Sequence, residues 1–238
     1  MDHEPPLAVL DQEDLLSQGI RTSKLVPGAT DVDALGSCVF NATTAHLSTV
    51  IGVEAFRTVT GADGYSDTVR AEEYAIRLYH ETTDLTGDPS SEWPPADCGS
   101  SGLFVCKELE AQRVIAGHKT AVGADNLVSL MQAGTVIVGQ PWFQSWFNPD
   151  SEGFVDGDGT ASALEASINS GVAGGHETCI AAVERLAFTT AGLVDPFGTV
   201  LRVRNSWASS WGDHGSYRIH ASTYVMLGGY CDFRQMVA

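Results

Sequence analysis

The sequence predicts an α+β fold, because helical periodicity in the first half of the chain gives way to strand patterns in the second. Residues 37 to 133 carry apolar side chains at helical spacing, with capping and stop residues at the ends of the runs. Residues 134 to 238 carry short runs rich in β-branched and aromatic residues between turn residues. Helices followed by strands indicate an α+β arrangement of two lobes.

Four helical runs are predicted in the first region. "SCVFNATTAHLSTVIGVEAF" has Ser37 as its N-cap, and "DTVRAEEYAIRLYHET" has Asp67 in the same role. "GSSGLFVCKELEAQRVIAG" is expected to end near Gly117 and "ADNLVSLMQAG" at Gly134, because glycine commonly follows the last helical residue. We therefore place a helical lobe at about 37–133.

Five strands are predicted in the second region, which we expect to form a strand lobe at about 134–238. They are "TVIVGQPWF", "ETCIAAVERLAF", "GTVLRVRNSW", "GSYRIH" and "CDFRQMVA". Two stretches rich in Gly, Asp and Ser, 81–102 and 148–175, are predicted to be loops.

Composition limits the classes of partner. The chain has 238 residues and a formal charge of −17, which disfavours nucleic acid and anionic membranes because both require clustered Lys and Arg. No apolar run approaches the roughly 18 residues of a membrane helix. The acidic N-terminus does not resemble a signal peptide, so a cytoplasmic or virion-associated location is expected. Residues 1–24 are expected to be an N-terminal extension and 25–238 a single domain.

Cys38 is the first candidate for chemistry. It follows a glycine-containing turn and begins a predicted helix, where the helix dipole and free N–H groups favour a thiolate. The alternative is a small buried hydrophobic residue. The chain has five cysteines, so at least one is unpaired within it. It contains no CxxC pair, which argues against a structural zinc site.

A histidine and an asparagine follow Cys38 at informative spacing. His176, after two glycines in "GVAGGHETCI", lies 138 residues beyond Cys38, and Asn205 lies 29 residues beyond His176. A cysteine followed by His and Asn about 130–150 residues downstream is the order found in papain-type enzymes.

The chain resembles papain-like cysteine peptidases over residues 25 to 238. The matching motifs are "LGSC" at 35–38, "GGHE" at 174–177 and "RNSWASSWGDHGSY" at 204–217, of which the last is the most specific. In style they are similar to bacterial and phage members. The resemblance implies a two-lobe fold, with a helical N-terminal lobe, an antiparallel sheet or barrel in the C-terminal lobe and the active site between them.

The resemblance also implies roles for individual residues. Cys38 would attack a peptide carbonyl, His176 would carry the proton, and Asn205 would orient the His176 ring. Trp207 would cover the His–Asn hydrogen bond, and Trp211 would line the leaving-group side of the cleft. Three further residues are expected at the cleft: Gly175, Gly99 and Ser100.

The sequence departs from the family at two positions near Cys38. The glutamine that helps to bind the oxyanion is Val32 here, which cannot donate a hydrogen bond; a missing donor of this kind costs roughly 10²–10³ in rate. If residue 32 occupies the glutamine's place, Val32→Gln should raise kcat. The cysteine that many relatives carry three residues before the nucleophile is Leu35, which leaves Cys98 unpaired.

Two other motifs are weaker. "FVDGDGTASALE" resembles an EF-hand loop but has Phe154 where the first aspartate belongs, so a solvated acidic loop is favoured over a calcium site. The four aromatic rings of "PWFQSWF" indicate core packing, with a wall of the cleft as the alternative. No metal or other cofactor is expected.

Three functions remain open from the sequence. The first is a cysteine peptidase acting on polypeptides. The second uses the same three residues on another acyl substrate, such as cell-wall peptides. The third is a catalytically weak binding or structural module with assembly partners, for example in a virion.

Overall fold

The chain folds into a helix-rich side and a side built on an antiparallel sheet with further helices packed on it, in a computed structural model that describes residues 1–84 and 91–238. The helices are α1 Thr22–Leu25, α2 Cys38–Val50, α3 Val53–Thr60, α4 Thr68–Asp84, α5 Gly102–Ala111, α6 Gly123–Met131, α7 Ala161–Ser170 and α8 Ala221–Leu227. The strands are β1 Gly117–Thr120, β2 Val136–Phe143, β3 Val172–Arg185, β4 Val200–Arg204, β5 Ser216–His220 and β6 Asp232–Val237. The predicted α+β class is confirmed.

The sheet has the strand order β1-β6-β2-β3-β4-β5, and every neighbouring pair is antiparallel. All five predicted strands are present, as β2 to β6. The sixth, β1, lies inside the stretch that was predicted to be helical. Its four residues, "GHKT", carry no apolar alternation, and they are extended because they pair with β6 from Gly117↔Val237 to Thr120↔Arg234.

The helical predictions hold with differences at the ends. The first run is divided into α2 and α3 at Gly52, which is extended and precedes α3. Asp67 accepts the N–H of Arg70 (3.2 Å), as a cap should. The third run ends at Ala111 rather than near Gly117, because Arg113 adopts a left-handed conformation (φ 61°) and the N–H of Val114 turns back to the carbonyl of Leu109.

Three helices, α1, α7 and α8, were not predicted, and α1 is a single turn at Thr22–Leu25. α7 lies in the stretch 148–175 and begins at Thr160, whose side chain accepts the N–H of Ala163. α8 follows β5 directly, without a turn residue between them. The part of the predicted loop 81–102 that falls at 85–90 lies outside the described residues.

Two apolar cores lie on the two sides of the molecule. One is formed mainly by α2, α4 and α5, and the first 20 residues contribute Leu7, Leu10, Leu15 and Ile20 to it. The other lies between the sheet and helices α6 to α8. The N-terminal segment also pairs with the sheet, where the N–H of His3 donates to the carbonyl of Ala181 (2.9 Å). Among the described helices, none is long and apolar enough to cross a membrane.

Candidate active site

Cys38 is the first residue of α2, and its helix runs from the edge of the cleft into the helical core. Ser37 precedes the helix as predicted, but its hydroxyl donates to the carbonyl of Leu35 (3.4 Å) and makes no cap bond. The ten residues from Val39 to Ser48 are all buried, so packing rather than capping fixes the start of α2. The Cys38 side chain is half-buried at the exposed end of this helix.

Asp97 ties the turn before Cys38 to a loop on the same, helical side of the cleft. Its two carboxylate oxygens accept the N–H of Gly36, at 2.9 Å and 3.2 Å. The hydroxyl of Tyr79 donates to Oδ1 of Asp97 (2.8 Å) and accepts the N–H of Gly99 (2.7 Å). Sequence reasoning missed Asp97, since no local pattern marks an aspartate in a loop as a ligand for a backbone 61 residues earlier.

All five cysteines are free thiols. Many relatives have a disulfide at the turn before the nucleophile, and here the hydrogen bonds of Asp97 hold that turn instead. Leu35 is buried in the helical core. Cys98 is exposed, and the hydroxyl of Tyr79 lies 3.7 Å from its sulfur.

His176 and Asn205 meet across the join between β3 and β4. Nε2 of His176 lies 2.7 Å from Oδ1 of Asn205. The same oxygen accepts the N–H of Ser206 at 2.8 Å. Because both contacts need an acceptor at this atom, Nε2 of His176 carries the proton and Nδ1 is left as the free ring nitrogen.

Two tryptophans enclose the His176 ring. Trp207 stacks on it, with ring centroids 4.7 Å apart and an interplanar angle of 15°. Trp142 meets the ring edge-on at 4.9 Å. The imidazole is buried as a result, and water is kept from the hydrogen bond to Asn205.

Trp211, which the resemblance places on the leaving-group side of the cleft, lies beside Trp207. It packs edge-on against Trp207 at 5.2 Å, and its Nε1 donates to the carbonyl of Phe147 (3.0 Å). It lines a neighbouring groove, whereas the cleft that contains Cys38 is lined by other residues of the described chain. Trp211 therefore supports Trp207 from behind.

One cleft of about 830 Å³ brings the two halves of the site together. Cys38 lines it from the helical side and His176 from the sheet side. The three residues expected at the cleft, Gly99, Ser100 and Gly175, line it as well.

Burial sets the protonation of both reactive groups. It raises the pKa of the Cys38 thiol to about 11, against the N–H groups of Glu177 and Val39, which lower it. Burial also lowers the pKa of His176 to about 4, against the hydrogen bond to Asn205. Burial thus favours the neutral thiol and the neutral imidazole, whereas the N–H groups near Cys38 favour the thiolate.

Val32 does not occupy the place expected for an oxyanion donor. Its side chain is half-buried and packs against the helical core, and it is absent from the cleft lining within the described residues. Asn41 is buried and donates through Nδ2 to both oxygens of Glu72, at 2.7 Å each. The N–H of Cys38, at the first turn of α2, has no acceptor in the described chain. It is the donor that an incoming carbonyl oxygen could use.

The two weaker motifs have structural roles. Asp156, in the EF-hand-like loop, accepts the N–H of His220 (2.8 Å) and the hydroxyl of Thr223 (2.6 Å). Residues 1–84 and 91–238 contain no group of three side chains that could hold a metal. In "PWFQSWF", Trp142 and Trp146 are buried in the sheet-side core and meet edge-on at 5.4 Å, so the packing interpretation holds.

Comparison with known proteins finds similarity only among solved structures, because no family model and no curated protein matches the chain. Xylellain, a cysteine protease from Xylella fastidiosa, is 19% identical with a TM-score of 0.48, over 100% of this chain and 85% of its own. Digestive procathepsin L 3 of Tenebrio molitor larval midgut is 12% identical with a TM-score of 0.47, over 100% and 69%. The bromelain protease from Ananas comosus, in complex with the E64 inhibitor, is 14% identical with a TM-score of 0.41, over 97% and 93%.

Proposed function

We propose that the protein is a cysteine-type peptidase that hydrolyses peptide bonds through Cys38, His176 and Asn205. The observation that carries this proposal is the hydrogen bond of 2.7 Å between Nε2 of His176 and Oδ1 of Asn205, under the stacked ring of Trp207, in the wall of the cleft that Cys38 lines. A buried imidazole with one nitrogen fixed and the other free is what a general base requires.

The first half of the reaction forms an acyl-enzyme. The sulfur of Cys38 bonds to the carbonyl carbon as its proton passes to Nδ1 of His176, and the carbonyl π electrons move to the oxygen. A thiolate beside an imidazolium has no net charge, so burial opposes it much less than it opposes either ion alone. The N–H of Cys38 donates to the developing oxyanion. When the oxyanion collapses, the C–N bond breaks and His176 gives its proton to the leaving amine.

The second half of the reaction restores the enzyme. His176 takes a proton from water as the water oxygen attacks the thioester carbon. The C–S bond then breaks, the acid product leaves, and the proton returns to the sulfur of Cys38. Asn205 accepts from Nε2 throughout and keeps the ring in the plane that both transfers require.

The test is a comparison of two cysteines in the same cleft. Cys98 is exposed and lines the cleft beside Cys38. Iodoacetamide follows exposure and would label Cys98, whereas an epoxysuccinyl peptide must occupy the cleft and use the Cys38–His176 pair. We expect one epoxide adduct, on Cys38. We also expect Cys38→Ala to abolish hydrolysis of a quenched peptide library, while Cys98→Ala retains it.

Each contrary result has a distinct meaning. Hydrolysis that survives in Cys38→Ala contradicts the proposal. An epoxide adduct on Cys38 without cleavage of any library peptide favours another acyl substrate, such as cell-wall peptides. If the wild-type protein forms no epoxide adduct and cleaves no library peptide, the result favours the binding module.

A further inference from the structure

A small cavity lies beside Asn205, between α2 and the strands β3 and β4. It is lined from the helix by Asn41 and two alanines, and from the strands by residues that include Cys179 and Arg204. The cavity leaves about 10 Å³ for the centre of a water-sized sphere, which is room for one water molecule. Of the described residues that line the substrate cleft, Glu177 alone lines this cavity as well, so the two spaces are separate.

Three residues of the cavity wall each have one buried polar atom without a hydrogen-bond partner in the described chain. The atoms are Oδ1 of Asn41, Nε of Arg204 and Nδ2 of Asn205. The three residues are 1%, 9% and 4% exposed, in that order. Glu177 also has such an atom, but its carboxylate packs against glycines of α5 and β2 that do not line the cavity. Buried polar atoms without partners are costly, so three of them around one cavity indicate a ligand that binds them.

Other hydrogen bonds fix which end of each amide remains free. Nδ2 of Asn41 donates to both carboxylate oxygens of Glu72, at 2.7 Å each, which leaves Oδ1 as an acceptor. Oδ1 of Asn205 accepts from Nε2 of His176 (2.7 Å) and from the N–H of Ser206 (2.8 Å), which leaves Nδ2 as a donor. Neither amide can turn over without losing these bonds, so the cavity wall offers one fixed acceptor and one fixed donor.

The free atoms select water among small ligands. The terminal nitrogens of Arg204 donate to the carbonyl of Leu7 and the carboxylate of Glu4, so Nε is its remaining donor. The N–H groups of Arg204 and Asn205 disfavour a metal cation, and the lone pairs of Asn41 disfavour an anion such as chloride. A water molecule accepts two N–H groups and donates one O–H, and buried waters typically make about three hydrogen bonds.

We propose that one buried water molecule binds in this cavity, accepting from Asn205 and Arg204 and donating to Oδ1 of Asn41, and that Asn41 thereby positions Asn205. Asn41 lies three residues after Cys38, so the two stand about one turn apart on the same side of α2. The helix that carries the nucleophile therefore also holds, through the water, the amide that orients His176. The positioning role rests on the proposed peptidase function, whereas the water site does not.

The water fixes the end of the Asn205 amide that its other hydrogen bonds leave free. The bonds to His176 and Ser206 are both made at Oδ1, so Nδ2 can swing about that oxygen unless it has a partner of its own. The plane of the amide in turn sets the plane of the His176 ring, which both proton transfers of the proposed reaction require. Asn41 does not line the substrate cleft within the described residues. Its substitution should therefore lower kcat and leave KM unchanged.

A crystal structure of the wild-type protein at high resolution tests the site directly. We expect one ordered water molecule within hydrogen-bond distance of Oδ1 of Asn41, Nε of Arg204 and Nδ2 of Asn205. In solution, the Nδ2 protons of Asn205 should show a nuclear Overhauser effect to water. A structure in which these three atoms bond to other protein atoms, with no water between them, would overturn the inference.

A double-variant cycle tests whether Asn41 acts through Asn205. Asn41→Leu keeps a branched side chain and removes the acceptor, and it should lower kcat about fivefold, the order of effect of one hydrogen bond. In an Asn205→Ala background the same substitution should change kcat by less than about twofold, because the residue through which it acts is gone. Thr44→Val is the matched control and should keep the wild-type kcat, since it removes a buried hydrogen bond of α2 that stays within the helix, to the carbonyl of Phe40 (2.7 Å).

Equal losses of kcat in the two backgrounds, or no loss in the wild-type background, would overturn the positioning role. If circular dichroism shows that Asn41→Leu is unfolded, it is combined with Glu72→Met, because apolar replacement of both partners leaves neither one unsatisfied. If the wild-type protein cleaves no peptide, the peptidase proposal and the positioning role fail together. The crystal structure and the nuclear Overhauser effect then still decide whether the water site exists.

Discussion

The two walls of the cleft are built by different means. On the sheet side, His176 lies on β3 and Asn205 directly follows β4, so the register of β3 and β4 and the stacked Trp207 fix their contact. On the helical side, Cys38 depends on a buried helix and on a turn that Asp97 holds from a loop. One wall is set by regular pairing, and the other by a few long-range hydrogen bonds.

Because of this difference, substitutions on the two walls should affect catalysis and stability to different degrees. The sheet side can lose a single hydrogen bond and keep its backbone, because strand pairing and aromatic packing remain. The helical side has no disulfide to hold its turn, so removal of one carboxylate changes the position of the backbone there. Substitutions on the sheet side should therefore change catalysis more than stability, and those on the helical side should change both.

Asn205→Ala should have the largest effect among the substitutions that keep the nucleophile. Nε2 of His176 would lose its acceptor, and the ring could turn Nδ1 away from Cys38. We expect kcat to fall roughly 10²-fold, within the range attributed to general acid–base catalysis, with a small change in the free energy of unfolding. Steady-state kinetics and urea unfolding measure both quantities. Asn126→Ala, at an exposed position of α6, is the control, and a wild-type kcat in Asn205→Ala would refute the role of Asn205.

The sheet side could be predicted from the sequence because its signals are local. "RNSWASSWGDHGSY" puts Asn205 and Trp207 two residues apart at the end of a strand, and the strand itself follows from its composition. The contacts of Trp211 could not be predicted, because they depend on residues such as Phe147 that lie far away in the chain.

The helical side and the floor of the cleft were harder to predict from the sequence. Asp97 and Gly36 meet across 61 residues, and the buried carboxylate of Glu177 lies against Gly102 and Gly139 from other elements. The short strand β1 follows the same rule, since its pairing with β6 and not its own residues makes it extended. These features depend on contacts between residues far apart in the chain, and no local sequence pattern indicates such contacts.

Asp97→Ala tests the helical side and should have an intermediate effect. It would leave the N–H of Gly36 and the hydroxyl of Tyr79 without their acceptor, at a cost of about 1 kcal/mol in stability because the site is open to water. A looser turn before Cys38 should lower kcat/KM roughly tenfold.

Asp195→Ala is the matched control for Asp97→Ala. Its carboxylate also accepts a loop N–H, from Phe197 (3.1 Å), but the loop does not line the cleft. Tyr79→Phe should lower kcat/KM less than Asp97→Ala, since Asp97 keeps the N–H of Gly36 although the N–H of Gly99 loses its acceptor. An Asp97→Ala protein that loses stability but keeps its kcat/KM would show that the turn is positioned without Asp97, and the contrast between the two walls would then be weaker than described.

Val32→Gln should have the smallest effect. Because Val32 packs against the helical core, a glutamine there would have to bury its amide or displace the turn to reach the cleft. We expect kcat to stay within about twofold of the wild type and the free energy of unfolding to fall by about 1 kcal/mol, the low end of the cost of burying a polar group. Val32→Ala, which removes packing and adds no donor, measures the packing loss alone. A tenfold rise in kcat at constant KM, seen in Val32→Gln and not in Val32→Ala, would show that the amide reaches the carbonyl oxygen in the transition state. The turn before Cys38 would then be mobile enough to rearrange around one side chain, which is the behaviour that a wall held by a few hydrogen bonds permits and a wall held by strand pairing does not.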